Sequence, residues 1–300
     1  MPEPRSHPTA GDVAEALEAL RSSTPLVQSL TNVVSANFVT NVLLAAGASN
    51  AHIDNVHEAA GFAAVAGGVL INLGTPDDGT AAAFTLAAGA ARAAGTPWVL
   101  DPVGVGGLPW RTELAAGLLA LGPTAIRGNA SEIIALAGSS GLSSSGPGSS
   151  GPGSSGRGSS GPGSSGRGVD STSEADAAVP AALSLLDSAQ VVSASGPIDY
   201  IVGRGPSGPL GVRVGGGHAL LTKVTATGCS LAALVAAYLA VSPNPLIGIT
   251  AAHVHVAVAA EAAARGASGP GSFAVAYIDA LASVTPDGFR TSARIDPLDV

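Results

Sequence analysis

The stretch "GGVLINLGTPDDGTAAAFTLAAGAARAAGTPWVLDPVG", residues 67–104, decides how the chain is read. It opens on a short aliphatic run, 67–74, and passes a Pro/Asp/Gly turn into an Ala-rich segment, 77–94. It closes on a second aliphatic run, 97–104. Short apolar runs bounded by turn residues read as buried strands, and the longer segment between them reads as a helix. A strand, a crossover helix and a second strand make a parallel pair. The pattern repeats with strands at 124–129 ("TAIRGN") and 190–196 ("QVVSASG") and helices at 111–121, 131–137 and 172–187. The expected fold is therefore a mostly parallel sheet covered by helices. Ligands of such sheets gather at the carboxyl ends of the strands. Those ends carry Asn72, Asp101, Arg127 with Asn129, and Ser195.

Composition narrows the function. Of 300 residues 46% are hydrophobic but only 3% aromatic, so the core must be built from small aliphatic side chains. A formal charge of −8 without a basic cluster argues against nucleic acid as partner. The N-terminus lacks the apolar core of a signal peptide, and no charge-free apolar run makes a convincing membrane span. A single cysteine, Cys229, excludes an intrachain disulfide and a cysteine-built metal cage. A cytoplasmic protein is the expectation.

At 144–168 the composition changes to five copies of a Ser-Ser-Gly-(Pro/Arg)-Gly unit. Nothing in it buries apolar surface, so it reads as a flexible insertion, about 139–168, inside one domain spanning 1–300. The period excludes collagen, which needs glycine at every third position. The polar segment 285–300 is expected to fray.

Two motifs carry chemistry. In "TATGCSLAALVAAYLA", 225–240, a small-residue turn opens a helix. Amides at a helix start favour negative charge, and Gly228 lets backbone approach a ligand. The same turn also suits simple capping. Cys229 in that field is expected to have a lowered pKa. In "IRGNASEI", 126–133, Asn129 and Glu132 stand three apart. They can order Mg²⁺ through water while Arg127 meets phosphate, or they can cap the helix, and both can hold together.

"QSLTNVVSANFVTNVLLAAGAS" (28–49), "LINLGT" (70–75), "VLDPVGVG" (99–106), "PTAIRGNASEI" (123–133), "HALLTKVTATGCSLAAL" (218–234) and "GPGSF" (269–273) occur in the order found in hydroxyethylthiazole kinases. The resemblance covers nearly the whole chain apart from the insertion and both termini. It implies a ribokinase-like three-layer α/β/α sandwich, forming homotrimers with active sites at subunit boundaries. It also implies transfer of the γ-phosphoryl group of ATP, with Mg²⁺, to the primary alcohol of 4-methyl-5-(2-hydroxyethyl)thiazole, in thiamine salvage. Carried over, Cys229 lies beside the substrate hydroxyl as proton acceptor or positioning group, not as a covalent nucleophile. The amides of 226–229 hold the transferring phosphoryl. Arg127 and Ser195 contact nucleotide, with Ser195 where threonine is usual. Asn129 and Glu132 arrange magnesium and phosphates. Asp101 helps with the metal or caps its own turn, and Asn32 lines the thiazole pocket or caps a helix. Three positions depart from the family's pattern. His52 stands for a thiazole-contacting methionine, Ala226 for a substrate-contacting glycine, and Ser29 for the usual cysteine. A related reading, a repair dehydratase of hydrated nicotinamide cofactors, would carry aspartate at Cys229. A non-catalytic nucleotide-binding relative would bind ATP without turnover.

His253 and His255 project about 200° apart on a helix, so a shared metal site is not expected and core or interface roles are. His57 is read as solvated near a helix start, and His218 as a strand or turn residue before the anion loop. Lys223 is either a phosphate neutraliser or a surface residue on a strand edge. "GPGSF" is read as the turn that leads into the last helix, with Gly271 and Ser272 as its cap.

Overall fold

The computed structural model describes residues 7–140 and 171–300. The repeats at 144–168 lie outside the described residues. The first half runs α1 (Ala10–Ser23), β1 (Leu26–Leu30), α2 (Ala36–Ala46), β2 (Ser49–Ala51), α3 (Ala59–Ala63), β3 (Gly68–Asn72), α4 (Asp78–Ala94), β4 (Trp98–Asp101), α5 (Pro109–Leu119), β5 (Ala125–Asn129) and α6 (Ala130–Ser140). The second runs α7 (Ser171–Leu185), β6 (Val191–Ser195), β7 (Asp199–Gly205), β8 (Gly208–Gly215), a 3₁₀ turn (Ala219–Lys223), α8 (Thr227–Leu239), α9 (Pro245–Ala264), α10 (Pro270–Ser283), α11 (Pro286–Ser292) and β9 (Arg294–Leu298). The strands and helices read from sequence fall within a few residues of these bounds.

The strands form one sheet in the order β2-β1-β3-β4-β5-β6-β7-β8-β9. It is parallel from β2 through β6 and antiparallel from β6 to β9. Strands β5 and β6, which flank the insertion in sequence, pair directly, so the sheet runs across it. Helices α1, α2, α8, α9 and α10 cover one face, and α3 to α7 cover the other. This is the three-layer α/β/α sandwich.

Alternation along each strand assigns side chains to faces. Leu70, Val99, Ala125 and Val191 pack under α8 and α9, while Val69, Ile71, Leu100, Ile126 and Val192 pack on the opposite side. By the same parity Asn72, Asp101, Arg127, Ser193 and Ser195 project to the α8–α9 side, at the carboxyl ends. The scarcity of large side chains permits close layers. Gly68 of β3 lies so near the Ala236 carbonyl of α8 that a Cβ there would overlap it.

Two expectations need correction. The segment 285–300 carries α11, capped by the Thr285 hydroxyl accepting from the Gly288 amide, and then β9, which pairs antiparallel with β8. Phe289, fully buried, anchors α11 to the core, and without β9 the edge of β8 would be open. The Gly-Pro-Gly-Ser-Phe turn opens α10 rather than the last helix, and its N-cap is Gly269, with the Ser272 hydroxyl accepting from the Gly269 amide. One helix among the described residues, α9, is long and apolar enough to cross a membrane. It is mostly buried, and its histidines are core residues. His255 lies between the Tyr238 hydroxyl and the Leu281 carbonyl, both at 2.9 Å, and burial holds its pKa down at about 4.

Candidate active site

In the order β2-β1-β3, chain direction from β1 reverses across the sheet, which makes the β1/β3 gap the switch point of the parallel part. A cavity of about 480 Å³ opens there, lined among others by Thr31, Asn32, Asn72, Asp54, His57 and Phe84. Asn32 follows β1 and does two things. Its Oδ1 accepts from the Ser35 amide (3.0 Å), closing the turn that precedes α2, whose N-cap is Ser35. Its Nδ2 donates to Asn72 Oδ1 (2.8 Å) and to Cys229 Sγ (3.4 Å).

From Asn72 the chain of contacts continues across the sheet. Asn72 and Asp101 are register neighbours on β3 and β4, and Asn72 Nδ2 donates to Asp101 Oδ2 at 2.6 Å. Asp101 is fully buried, and its Oδ1 has no hydrogen-bond partner; the nearest cation is Arg127 Nη1, 3.9 Å away. Burial pushes the Asp101 carboxyl up to about 7, and Glu132 adds to this, while Arg127 and Asn72 pull the other way. Arg127 Nε donates to Ser195 Oγ at 3.2 Å, so the arginine and serine brought together by sequence do meet.

Cys229 sits in the first turn of α8. Burial raises its pKa, and the neighbouring Asp101 carboxylate raises it further, against weaker hydrogen bonding from Asn32, Asn72 and Ser35. The lowered value expected from the helix field is thus overturned, because desolvation and a nearby negative charge set the direction. The side chain is a thiol at neutral pH.

Ala226 precedes α8 in a left-handed conformation, φ 70°, and only Thr24 shares a positive φ among described non-glycine residues. A left-handed residue followed by helical ones turns successive amides to one side, a concave anion-binding arrangement. The Thr227 hydroxyl ties the turn to the Leu221 carbonyl at 2.9 Å. A Cβ on Gly228 would sit 2.9 Å from Arg127 Nη1, so this glycine is what lets the guanidinium lie against the turn. The neighbour that Gly228 admits here is a protein side chain.

Asn129 and Glu132 form a reciprocal cap on α6. Glu132 Oε2 accepts from the Asn129 amide and Asn129 Oδ1 accepts from the Glu132 amide, both at 2.9 Å. Glu132 Oε1 accepts from the Gly104 amide at 3.1 Å, which draws the β4–α5 loop to this edge. Both oxygens of Glu132 are therefore engaged by backbone. His52 stands apart: exposed on the loop after β2, it pairs with Asp54 at 3.1 Å and is not part of the cavity wall, although Asp54 is. Lys223 is exposed in the 3₁₀ turn rather than on a strand, and His218 caps that turn. His57 is exposed, as read from sequence, yet also lines the cavity. Asn72 was legible as a strand-end polar residue, but its bridging of Asn32 and Asp101 was not.

The hydroxyethylthiazole kinase family model matches residues 17–150 and 159–287. This chain belongs to the hydroxyethylthiazole kinase family. A hydroxyethylthiazole kinase of Rhodococcus erythropolis is 65% identical over 289 residues, covering 96% of this chain and 95% of that protein. The solved hydroxyethylthiazole kinase of Pyrococcus horikoshii superposes with a TM-score of 0.80 at 32% identity, covering 96% of this chain and 99% of that one. A pyridoxal kinase of Staphylococcus aureus in complex with ADP, at 14% identity and TM-score 0.51 over 79% of this chain and 88% of that one, shares the ribokinase-like fold.

Proposed function

We propose that this family member transfers the γ-phosphoryl group of ATP to the primary hydroxyl of 4-methyl-5-(2-hydroxyethyl)thiazole in thiamine salvage, as a cytoplasmic enzyme. The observation that carries the assignment of roles is the position of the Ala226–Cys229 turn. On one side Cys229 touches Asn32, a wall of the switch-point cavity; on the other Gly228 lies against Arg127, which holds Ser195. Alcohol in the cavity and nucleotide over Arg127 and Ser195 would meet at the turn.

Phosphoryl transfer depends mainly on positioning and charge stabilisation, which suits this inventory. The turn amides receive the transferring group, and Arg127 neutralises phosphate oxygens. Cys229, a half-buried thiol, positions the hydroxyl beside the turn; already protonated, it does not take the alcohol's proton, which passes to an oxygen of the transferred phosphate, and a thiol of raised pKa is no free nucleophile. Ala226 and Asn32 bound the substrate, and His52, outside the cavity wall, acts on it only through Asp54, with which it pairs. For Mg²⁺, the partnerless buried oxygen of Asp101 is a fitting donor. Glu132 would act through water, since its oxygens already serve amides, with Asn129 beside it. The ion would add positive charge at the phosphates. A homotrimer with sites at subunit boundaries is supported by Val33, a cavity-lining valine that is 79% exposed, and by its exposed neighbour Val34.

The test is ADP release from Mg²⁺-ATP with and without hydroxyethylthiazole, with mass detection of product and light scattering for the assembly. Thiazole-dependent ADP and a product one phosphoryl heavier are expected. Bound ATP without thiazole dependence would overturn the substrate assignment and point to another heterocyclic alcohol, or to a relative that binds without turnover.

A further inference from the structure

Beneath the Arg127–Ser195 contact lies a buried polar set that the reaction does not use. Ser193, two residues before Ser195 on the same face of β6, is the register neighbour of Arg127 on β5. Its Oγ is 3.1 Å from His253 Nε2, and His253 Nδ1 is 2.7 Å from Asp199 Oδ2. Asp199, the first residue of β7, accepts with its Oδ1 from the Gly196 amide at 3.0 Å. One imidazole from α9 thus grips β6 just before Ser195, and the carboxylate it holds grips the turn just after.

The order serine, histidine, aspartate is also that of hydrolases. Ser193 is fully buried and His253 is 1% exposed, so no substrate reaches the hydroxyl. The direction of the bonds follows from the groups. A carboxylate only accepts, so Nδ1 donates to Asp199, and Nε2 of a neutral imidazole then accepts from Ser193. A hairpin end held only by its ladder would open locally; two polar contacts to a core helix and the Asp199–Gly196 bond within the turn oppose that.

We propose that His253 and Asp199 are positioning residues for the nucleotide site, fixing the strand end and turn that carry Ser195 and, through Ser195, the Arg127 guanidinium. This rests on the reading of Ser195 and Arg127 as nucleotide contacts. The structural alternative is a core network that supports folding only.

The experiment measures ADP affinity by calorimetry, which needs no acceptor alcohol, together with KM for ATP, KM for hydroxyethylthiazole and Tm. The full-length variants are His253→Leu, Asp199→Ala, Ser193→Ala, Ser195→Ala and His253→Leu combined with Ser195→Ala. His253→Leu and Asp199→Ala are expected to weaken ADP and raise KM for ATP by about 5–20-fold, with KM for the alcohol within about twofold. Ser193→Ala, the mildest change, should show the same selectivity at about 2–5-fold and serves if His253→Leu does not fold. The double variant should bind no worse than the weaker of its two parents by more than about twofold, because both changes act through one contact. Unchanged ADP affinity in folded Ser193→Ala and Asp199→Ala, or simple additivity in the double variant, would overturn the proposal. If Ser195→Ala itself leaves ADP affinity unchanged, the nucleotide role of Ser195 fails, and this inference fails with it. If Ser195→Ala weakens ADP while the other variants do not, the inference alone fails.

Discussion

Replacing Ala226 by glycine isolates the strain in the turn that opens α8. Ala226 holds φ 70° with no side-chain cap, and its carbonyl accepts the first helical bond from the Ser230 amide at 2.8 Å. A left-handed conformation costs an alanine roughly 1–2 kcal/mol. Glycine removes that cost, but its freer unfolded chain takes back roughly 0.4–1 kcal/mol. The net expectation is a gain of about 0.5–1 kcal/mol, a rise in Tm of about 1–3 °C for a chain of this size. Thr24, at φ 45° on the exposed C-cap of α1, is the control. Thr24→Gly should stabilise to a similar degree by the same argument, yet leave kinetics untouched. Ala226→Gly should keep the turn amides in place and remove a methyl beside the transferring group. Its kcat/KM for the alcohol is therefore expected to equal or exceed that of the parent. The assay is thermal unfolding of the three proteins in parallel, followed by coupled ADP release. A lower Tm for Ala226→Gly beside a stabilised Thr24→Gly would refute the strain argument. A fall in kcat/KM with raised Tm would instead show that the methyl contributes to the substrate wall.

Asp101→Asn tests the buried carboxylate. Its pKa lies at about 7 in the folded protein against 3.8 as reference, so the folded state holds the extra proton between those values and stability falls as pH rises through that window. The stability of Asp101→Asn minus that of the parent should therefore increase by more than about 1 kcal/mol from pH 5 to pH 8 in urea unfolding, while turnover collapses; a pH-independent difference would contradict the assignment. Gly228→Ala introduces a Cβ against the far end of the Arg127 side chain, so stability should change by less than about 1 kcal/mol while KM for ATP rises several-fold by initial-rate kinetics. Asn72→Ala removes partners from Asn32, from Asp101 and from the Gly74 amide at once, and should cost about 2–4 kcal/mol by chemical denaturation.

What sequence made legible, and what it did not, follows from the range of the forces involved. The strands β3 to β6 were visible because each is a short apolar run closed by a polar residue, and period-two parity then puts Asn72, Asp101, Arg127 and Ser195 on one face. That much needs no knowledge of neighbours. The contact of Asn72 with Asp101 depends on β3 lying beside β4 in register, and the grip of His253 on Ser193 depends on α9 crossing β6. Neither is encoded locally. The tail was misread for the same reason: Arg294–Leu298 looks polar and free until the edge of β8 is there to pair with it. Cys229 shows the rule with opposite sign. Its helix-start position was plain in the motif and argued for a lowered pKa, a local effect. The forces that prevail are burial and the charge of Asp101, which is remote in sequence and brought close only by the sheet. Cys229 therefore takes its character first from burial and then from the strand end it faces, neither of which its local sequence displays.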